Sequence, residues 1–384
     1  MIPYGRQHIT DDDIRAVEKI LRSDFLTQGP AVPAFEAELC KATGSQYASA
    51  VNSATSALHI ACLALRLGRG GMLWTAPNTF VASANVALLC GAQVDFVDID
   101  PATRNMSVDA LKQKLETSER RPDILMPVHF AGRSCEMAEI ADLAKIYGFK
   151  IIEDASHAVG GSYRGSPLGR CISSDIAVFS FHPVKIVTTG EGGAALTNDP
   201  ELDDRLKVLR THGVTRDPRL METTNAAPWE YDQLELGLNY RMADIAAALG
   251  TSQMSRLESY VARRKELAGR YNSAFEASGF GDQLGLPPLD DLEIHQSAWH
   301  LYTVEVPARV NKRRLFEALR EAGVGVNVHY QPVHLQPYYR RLNFSEGDFP
   351  NAEEYYRRAL TLPLHPQVTE EEQDKVVNLL LEQL

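Results

Sequence analysis

The chain has no run of about 18 apolar residues, so nothing in it reads as a membrane-spanning helix. No apolar stretch follows its opening, Met1-Ile-Pro-Tyr-Gly-Arg6, and no signal peptide is expected. Basic excess is missing too. Lys and Arg number 39 against 50 Asp and Glu, a net charge of −11, which argues against a nucleic-acid partner. Cysteine is scarce: Cys40, Cys62, Cys90, Cys135 and Cys171 are widely spaced, without a C-x-x-C pair for zinc or redox work. No metal site is expected, and a reduced, cytoplasmic setting fits. Neither G-x-x-x-x-G-K-[ST] nor a strand followed by G-x-G-x-x-G occurs, so neither a P-loop nor a dinucleotide fingerprint is supported. Internal repeats and low-complexity tracts are absent.

What is present is an alternation of strands and helices. Thr10-Asp-Asp-Asp13 opens a helix with a cap and first-turn acids, and Ile14, Val17, Ile20 and Leu21 form its apolar stripe. A second helix runs from Phe35 to Thr43 and stops at Gly44. Strands are expected at 47–51, 73–76, 94–97, 124–128, 149–154 and 176–179, with helices at 57–67, 81–89, 108–115 and 137–147 between them. Such βαβ units make a parallel sheet, whose ligands bind at the carboxyl ends of the strands. After Thr211-His-Gly213, the polar stretch over 214–233 reads as a mobile loop near the pocket mouth. Beyond it, 242–277 reads as one long helix. Strands at 299–306 and 324–329 and helices at 312–322, 353–359 and 370–381 complete an α+β end. At 384 residues the expected division is a large domain over 1–250 and a small one over 251–384.

Four strand ends carry chemistry. Lys185 lies in Ser180–Gly193, after the apolar run Ile176–Phe179 and before Gly190, Gly192 and Gly193. An amine held there can form a Schiff base if burial or a neighbouring charge lowers its pKa. Asn52-Ser-Ala-Thr-Ser56 precedes an apolar helix, whose first amides and the hydroxyls of Thr55 and Ser56 suit a phosphate. Asp154 ends another strand, His157 follows it, and Phe80 follows a third. Each residue alone has an ordinary reading: an exposed lysine, a helix cap, a turn acid, a core histidine, a core aromatic. Together they match an aldehyde cofactor that carries a phosphate and a pyridine nitrogen. Such a group needs a lysine, a phosphate cradle, an acid for the ring nitrogen and a flat side chain over the ring.

The sequence resembles the DegT/DnrJ/EryC1/StrS family of sugar aminotransferases. The matching stretches are Thr27–Pro30, Asn52–Ser56, Asp154–His157, Phe179–Lys185, Gly190–Gly193, Gly237–Met242 and Val328–Tyr330. The resemblance implies the fold-type I architecture of pyridoxal 5′-phosphate (PLP) enzymes: a large domain with a mainly parallel sheet between helices, plus a smaller α+β C-terminal domain. It implies that Lys185 holds the cofactor and that Asp154 pairs with its ring nitrogen. His157 would lie near the ring hydroxyl, and Thr55, Ser56 and Ser180 would hold the phosphate. Phe80 would cover the ring. Asn239, or Arg241 in its place, would reach the phosphate of the neighbouring subunit of a homodimer. His329 and Tyr330 would shape the sugar pocket, and His182 and Glu191 flank the lysine. Met1–Arg6 and Ser23–Pro30 resemble members acting in pseudaminic acid biosynthesis. The implied reaction moves an amino group from L-glutamate to C4 of a UDP-4-keto-6-deoxy-N-acetylhexosamine. The alternative is a UDP-4-keto-pentose, giving UDP-4-amino-4-deoxy-L-arabinose. A dehydratase of this family would carry histidine at position 185. A non-catalytic PLP-binding regulator would need a DNA-binding domain.

Overall fold

Seven short, largely apolar strands form one sheet in the computed structural model, which describes residues 1–291 and 293–384. They are β1 (Tyr47–Val51), β2 (Met72–Thr75), β3 (Gln93–Phe96), β4 (Ile124–Met126), β5 (Lys150–Asp154), β6 (Ile176–Ser180) and β7 (Gly193–Thr197). Their order across the sheet is β1-β7-β6-β5-β4-β2-β3. Strands β3, β2, β4, β5 and β6 pair in parallel. Strand β7 runs antiparallel to both β6 and β1, so β1 points the same way as β6. The carboxyl ends of β1, β2, β5 and β6 therefore open onto one edge, where an α/β sheet takes its ligand. Strand β7 was not anticipated, because Gly193-Ala-Ala-Leu-Thr197 has Thr197 alone of the β-branched and aromatic residues that mark strands.

The helices α1 (Asp11–Leu21), α2 (Ala31–Thr43), α3 (Ala54–Ala64) and α4 (Ala82–Leu89) depart from expectation in instructive ways. Helix α1 has its cap, but its acids do more than meet the dipole. Asp13 is buried and receives bonds from Ser252, Gln253 and Arg256. Its apolar residues Ile14 and Leu21 stand 58% exposed, not in the core. Helix α2 starts at Ala31 because Pro33 sits in the first turn, where a missing N–H costs nothing. Helix α3 begins at Ala54, three residues early, since Ser53 caps it and Thr55 and Ser56 form its first turn.

The single helix expected over 242–277 is two, Asp244–Met254 and Leu257–Ala277. Arg256 has left helical geometry at the break, and its side chain spans Asp13 and Tyr260. The strand expected from Trp299 starts only at Tyr302, because Trp299 has a φ of +50°. Tyr302–Glu305 pairs with Ala359–Leu362, a strand that takes over where a helix was expected to end. Residues 324–329 make only isolated bridges, to Ile2 and to Thr361. The stretch 214–233 closes on the two-residue pairing of Val214–Thr215 with Asp232–Gln233.

Two hydrophobic clusters result. One fills both faces of the sheet. The other gathers Leu267, Tyr271, Tyr302, Leu360 and Leu380 and includes Ile2 from the N-terminus. Arg264 is buried and donates to the carbonyls of Trp299, His300 and Leu364. Burial pulls its pKa down to about 10.

At Gly193 a Cβ would lie 2.5 Å from the Ala54 amide, so strand β7 presses directly on the first turn of α3. Gly193→Ala is expected to lower the urea midpoint by a stability loss of about 1–3 kcal/mol. Gly269→Ala, inside a helix with no heavy atom within 4 Å of the new methyl, is expected to raise it by about 0.5–1 kcal/mol. Equal midpoints for the two variants would contradict the close contact.

Candidate active site

Four loops meet at the carboxyl edge of the sheet. After β1, the Ser53 hydroxyl accepts the Ser56 amide at 3.1 Å, fixing the start of α3. The Ser56 hydroxyl is buried and spent inside the turn, donating to Asn52 Oδ1 at 2.6 Å. Thr55 stands exposed on the first turn, where the amides make a positive end suited to phosphate. Ser180 is buried at the end of β6, opposite Gly193.

After β2 comes Pro77–Phe80. Phe80 is 60% exposed, an open flat face on the cleft, with its ring 6.4 Å from that of Tyr330. Asp154 ends β5 and is buried. One of its oxygens accepts the Ser83 hydroxyl at 2.6 Å and the other accepts the Ser156 amide at 3.1 Å. Each oxygen keeps accepting capacity for a further donor.

Lys185 lies in the turn beyond β6, its amide donating to His182 O at 2.8 Å. The chain then folds back through Gly190, whose φ is +81°, into β7. Burial lowers the Lys185 pKa to about 8, and the charge of Asp154 opposes that shift. The amine is thus part neutral, and nucleophilic, near neutral pH. His182 and Glu191 face one another at 3.9 Å on the exposed side of the loop, and neither is among the groups that set the lysine's pKa.

Three buried imidazoles surround this amine. His157 takes the Ala131 amide on Nδ1 at 3.3 Å and meets the Tyr330 hydroxyl through Nε2 at 3.1 Å. His300 packs on it, ring centroids 4.4 Å apart. His329 bonds Thr361 through Nδ1 at 2.7 Å. Burial, then the charge of Lys185, holds all three well below the usual histidine range, His329 at about 3. They are neutral at pH 7, so the site does not stack positive charge around its lysine.

The structure thus brings Lys185, Asp154, His157, Phe80, Ser180, His329 and Tyr330 to one cleft, with Thr55 and Ser56 at its rim. Asn239 and Arg241 flank the same rim through backbone: Asn52 donates to Tyr240 O and, by its side chain, to Asn239 O. Sequence reasoning missed Ser83, Asn78, whose Oδ1 accepts the Tyr330 amide at 3.2 Å, His300 and Tyr4. Tyr4 lies beside His329, ring centroids 5.3 Å apart. Only the nearness of Asn78 and Ser83 to Phe80 offered a signal for any of them. Among the described residues no cluster of three or more His, Cys, Asp or Glu is placed to hold a metal.

The pattern of the DegT/DnrJ/EryC1/StrS aminotransferase family matches residues 7–381. The chain belongs to this family. It is 38% identical over 372 residues to a UDP-4-amino-4,6-dideoxy-N-acetyl-β-L-altrosamine transaminase of Campylobacter jejuni, covering 96% of this chain and 93% of that protein. Its fold is similar to that of Helicobacter pylori PseC, an aminotransferase involved in the biosynthesis of pseudoaminic acid, with a TM-score of 0.89, 30% identity and coverage of 100% and 98%. The PLP form of a putative sugar aminotransferase from Streptococcus pneumoniae gives a TM-score of 0.88 at 30% identity, with coverage of 100% and 99%. The architecture is that of the fold-type I enzymes. The chain is a PLP-dependent sugar aminotransferase.

The residues in the cleft fit that cofactor. A lysine amine of lowered pKa, an acid with accepting capacity, a helix start carrying the exposed Thr55 and an open aromatic face all meet there. When bound, PLP supplies an electron sink for a carbanion on the amino acid. Because only the neutral amine attacks an aldehyde, the rate of PLP capture by the apoprotein should rise with pH, reach half its plateau near pH 8 and level above it. Absorbance-monitored mixing across the pH range checks this. A rate still climbing through the ordinary lysine range, near pH 10.4, would contradict the burial of the amine.

Proposed function

We propose that this aminotransferase moves an amino group from L-glutamate to C4 of a UDP-4-keto-6-deoxy-N-acetylhexosamine, a step of pseudaminic acid (nonulosonate) biosynthesis. The observation that carries this reading is the lysine–carboxyl arrangement of Lys185 and Asp154 in a chain 38% identical to a transaminase of that sugar series. In this reading Lys185 binds the cofactor's aldehyde. Once displaced by glutamate, its amine takes the proton from the amino acid's α-carbon and returns it at the cofactor's C4′. Asp154 holds the ring nitrogen protonated, with Ser83 and the Ser156 amide fixing its two oxygens. Thr55, Ser180 and the start of α3 hold the phosphate, Ser56 joins them once its hydroxyl turns from Asn52, and Phe80 covers the ring. His329 and Tyr330 shape the sugar pocket.

The proposed working unit is a homodimer with shared sites, and surface chemistry supports it. Phe25, Leu26, Leu236 and Leu238 are between 48% and 83% exposed. They flank Asn239–Arg241, since Thr27 pairs with Ala243 next to that turn. A two-fold contact presents one patch twice, so a second copy would cover this apolar face while giving Asn239 or Arg241 to its neighbour. A cytoplasmic setting is proposed on the five free cysteines. Among the described residues no helix is long and apolar enough to cross a membrane.

The substrate is tested by offering the holoenzyme and L-glutamate a panel of UDP-4-keto sugars and identifying the products by mass and NMR. A 4-amino-4,6-dideoxy-N-acetylhexosamine product is expected. Amination of the 4-keto-pentose alone would overturn the assignment. The shared site is tested by mixing Lys185→Ala with the double variant Asn239→Ala, Arg241→Ala. Each is expected to be inactive alone. With random exchange about half the dimers are mixed and carry one intact site, so activity should recover to roughly a quarter of the parent's. No recovery under proven exchange would confine the turn to its own chain.

A further inference from the structure

Sequence spacing gives the five cysteines no pairing, but the fold brings two of them together. Cys62 lies on α3 and Cys90 caps α4, and the two helices pack side by side. The Cys62 thiol hydrogen-bonds to the Cys90 sulfur. His59, one turn before Cys62 on the same face of α3, hydrogen-bonds to that sulfur as well. The His59 Nδ1 also meets the Tyr240 hydroxyl at 3.0 Å. The titratable groups facing Cys90 are thus Cys62, His59 and Tyr240. Both thiols are free of a disulfide.

The two cysteines are suited to different parts. Cys62 is fully buried, whereas Cys90 is half-buried beside the exposed Leu89. The thiolate is the form that attacks a peroxide. The bonds from Cys62 and from His59 lower the Cys90 pKa to about 6, against the pull of burial. The carboxyl end of α4 also opposes a thiolate, but two hydrogen bonds to a charged sulfur outweigh one half-exposed helix end. Cys62 is raised, first by its bond to Cys90 and then by burial, so it stays a thiol. The other three are set differently. Burial raises Cys40 and Cys171, and the buried Cys135 donates its thiol to Val128 O at 3.2 Å. Cys90 also sits at a helix end, before Gly91 with a φ of +74°, so its sulfur can close on Cys62 without unwinding a helix.

We propose that Cys90 is a peroxide-reactive cysteine and that Cys62 is its resolving partner, making the pair a reversible redox site of this chain. The co-reactant is hydrogen peroxide. The Cys90 thiolate attacks one peroxide oxygen, the O–O bond breaks, and the departing hydroxide takes up a proton as water. Cys90 is thereby oxidised to the sulfenic acid. The Cys62 sulfur then attacks the Cys90 sulfur, the S–O bond breaks, and the Cys62 proton leaves with that hydroxyl as a second water. Overall the two thiols lose two hydrogens and gain an S–S bond, while one peroxide is reduced to two waters. An external thiol reverses the bond by exchange, which suits a chain that rests with its cysteines reduced.

The test treats the reduced holoenzyme with a small excess of hydrogen peroxide at neutral pH, quenches with catalase, alkylates the remaining thiols and maps the peptides without reduction. A peptide linking Cys62 to Cys90 within one chain is expected, and dithiothreitol should abolish it. Cys90 should lose its free thiol about tenfold faster than Cys40, the other half-buried cysteine. In Cys62→Ser a sulfenic acid is expected on Cys90, trapped by dimedone, and in Cys90→Ser the Cys62 thiol should stay free. Absence of the linked peptide in the parent overturns the proposal, whether Cys90 stays reduced or passes to the sulfinic acid with Cys62 free. So does Cys40 reacting as fast as Cys90, or a link between the Cys90 residues of two chains in place of the Cys62 link. These readings come from the parent protein and hold even where a variant fails to fold.

Discussion

The site depends on one imbalance: burial pushes the Lys185 amine toward neutrality harder than Asp154 pulls it back. A tight ion pair between the two would keep the amine protonated and useless as a nucleophile. Ser83 on α4 and the Ser156 amide hold the Asp154 carboxylate in place, each on one oxygen. Lysine and acid come from different strand ends, β6 and β5, which are neighbours in the sheet. Their spacing is therefore set by the sheet and not by side-chain flexibility. The antiparallel return of β7 then anchors the lysine loop at both ends, with Ser180 opposite Gly193.

The imidazoles around the lysine follow from the same imbalance. A protonated histidine there would add like charge beside the amine in a poorly solvated place. His157, His300 and His329 are instead held neutral and act as fixed hydrogen-bonding and packing groups. They belong to three distant parts of the chain. Ile2, Tyr4 and Arg264 tie those parts together: Ile2 bridges to Val324, Tyr4 accepts the Leu364 amide, and Arg264 clamps the carbonyls at Trp299, His300 and Leu364. The second hydrophobic cluster thus presents His300 and His329 to a cofactor cleft built by the first.

Much of this was legible in the residues. Lys185, Asp154 and the start of α3 each follow a short apolar run, and a parallel sheet puts such positions on one edge. Ser83 and Asn78 were not legible, because a serine and an asparagine near a helix start read as ordinary caps. The buried role of Asp13 and the outward face of Ile14 and Leu21 were hidden for a related reason. Periodicity finds the apolar stripe but not what covers it. The break at Ser255–Arg256 leaves no glycine or proline signal, since tertiary bonds of Arg256 make it. The strand Ala359–Leu362 was masked by the helical run before it.

The central claim is that Lys185, and no other lysine, presents the reactive amine. Borohydride reduction of the PLP-loaded protein, followed by proteolysis and mass spectrometry, reads this directly. The account predicts a single reduced cofactor on the peptide carrying Lys185. A reduced cofactor on any other lysine, with Lys185 unmodified, would contradict it.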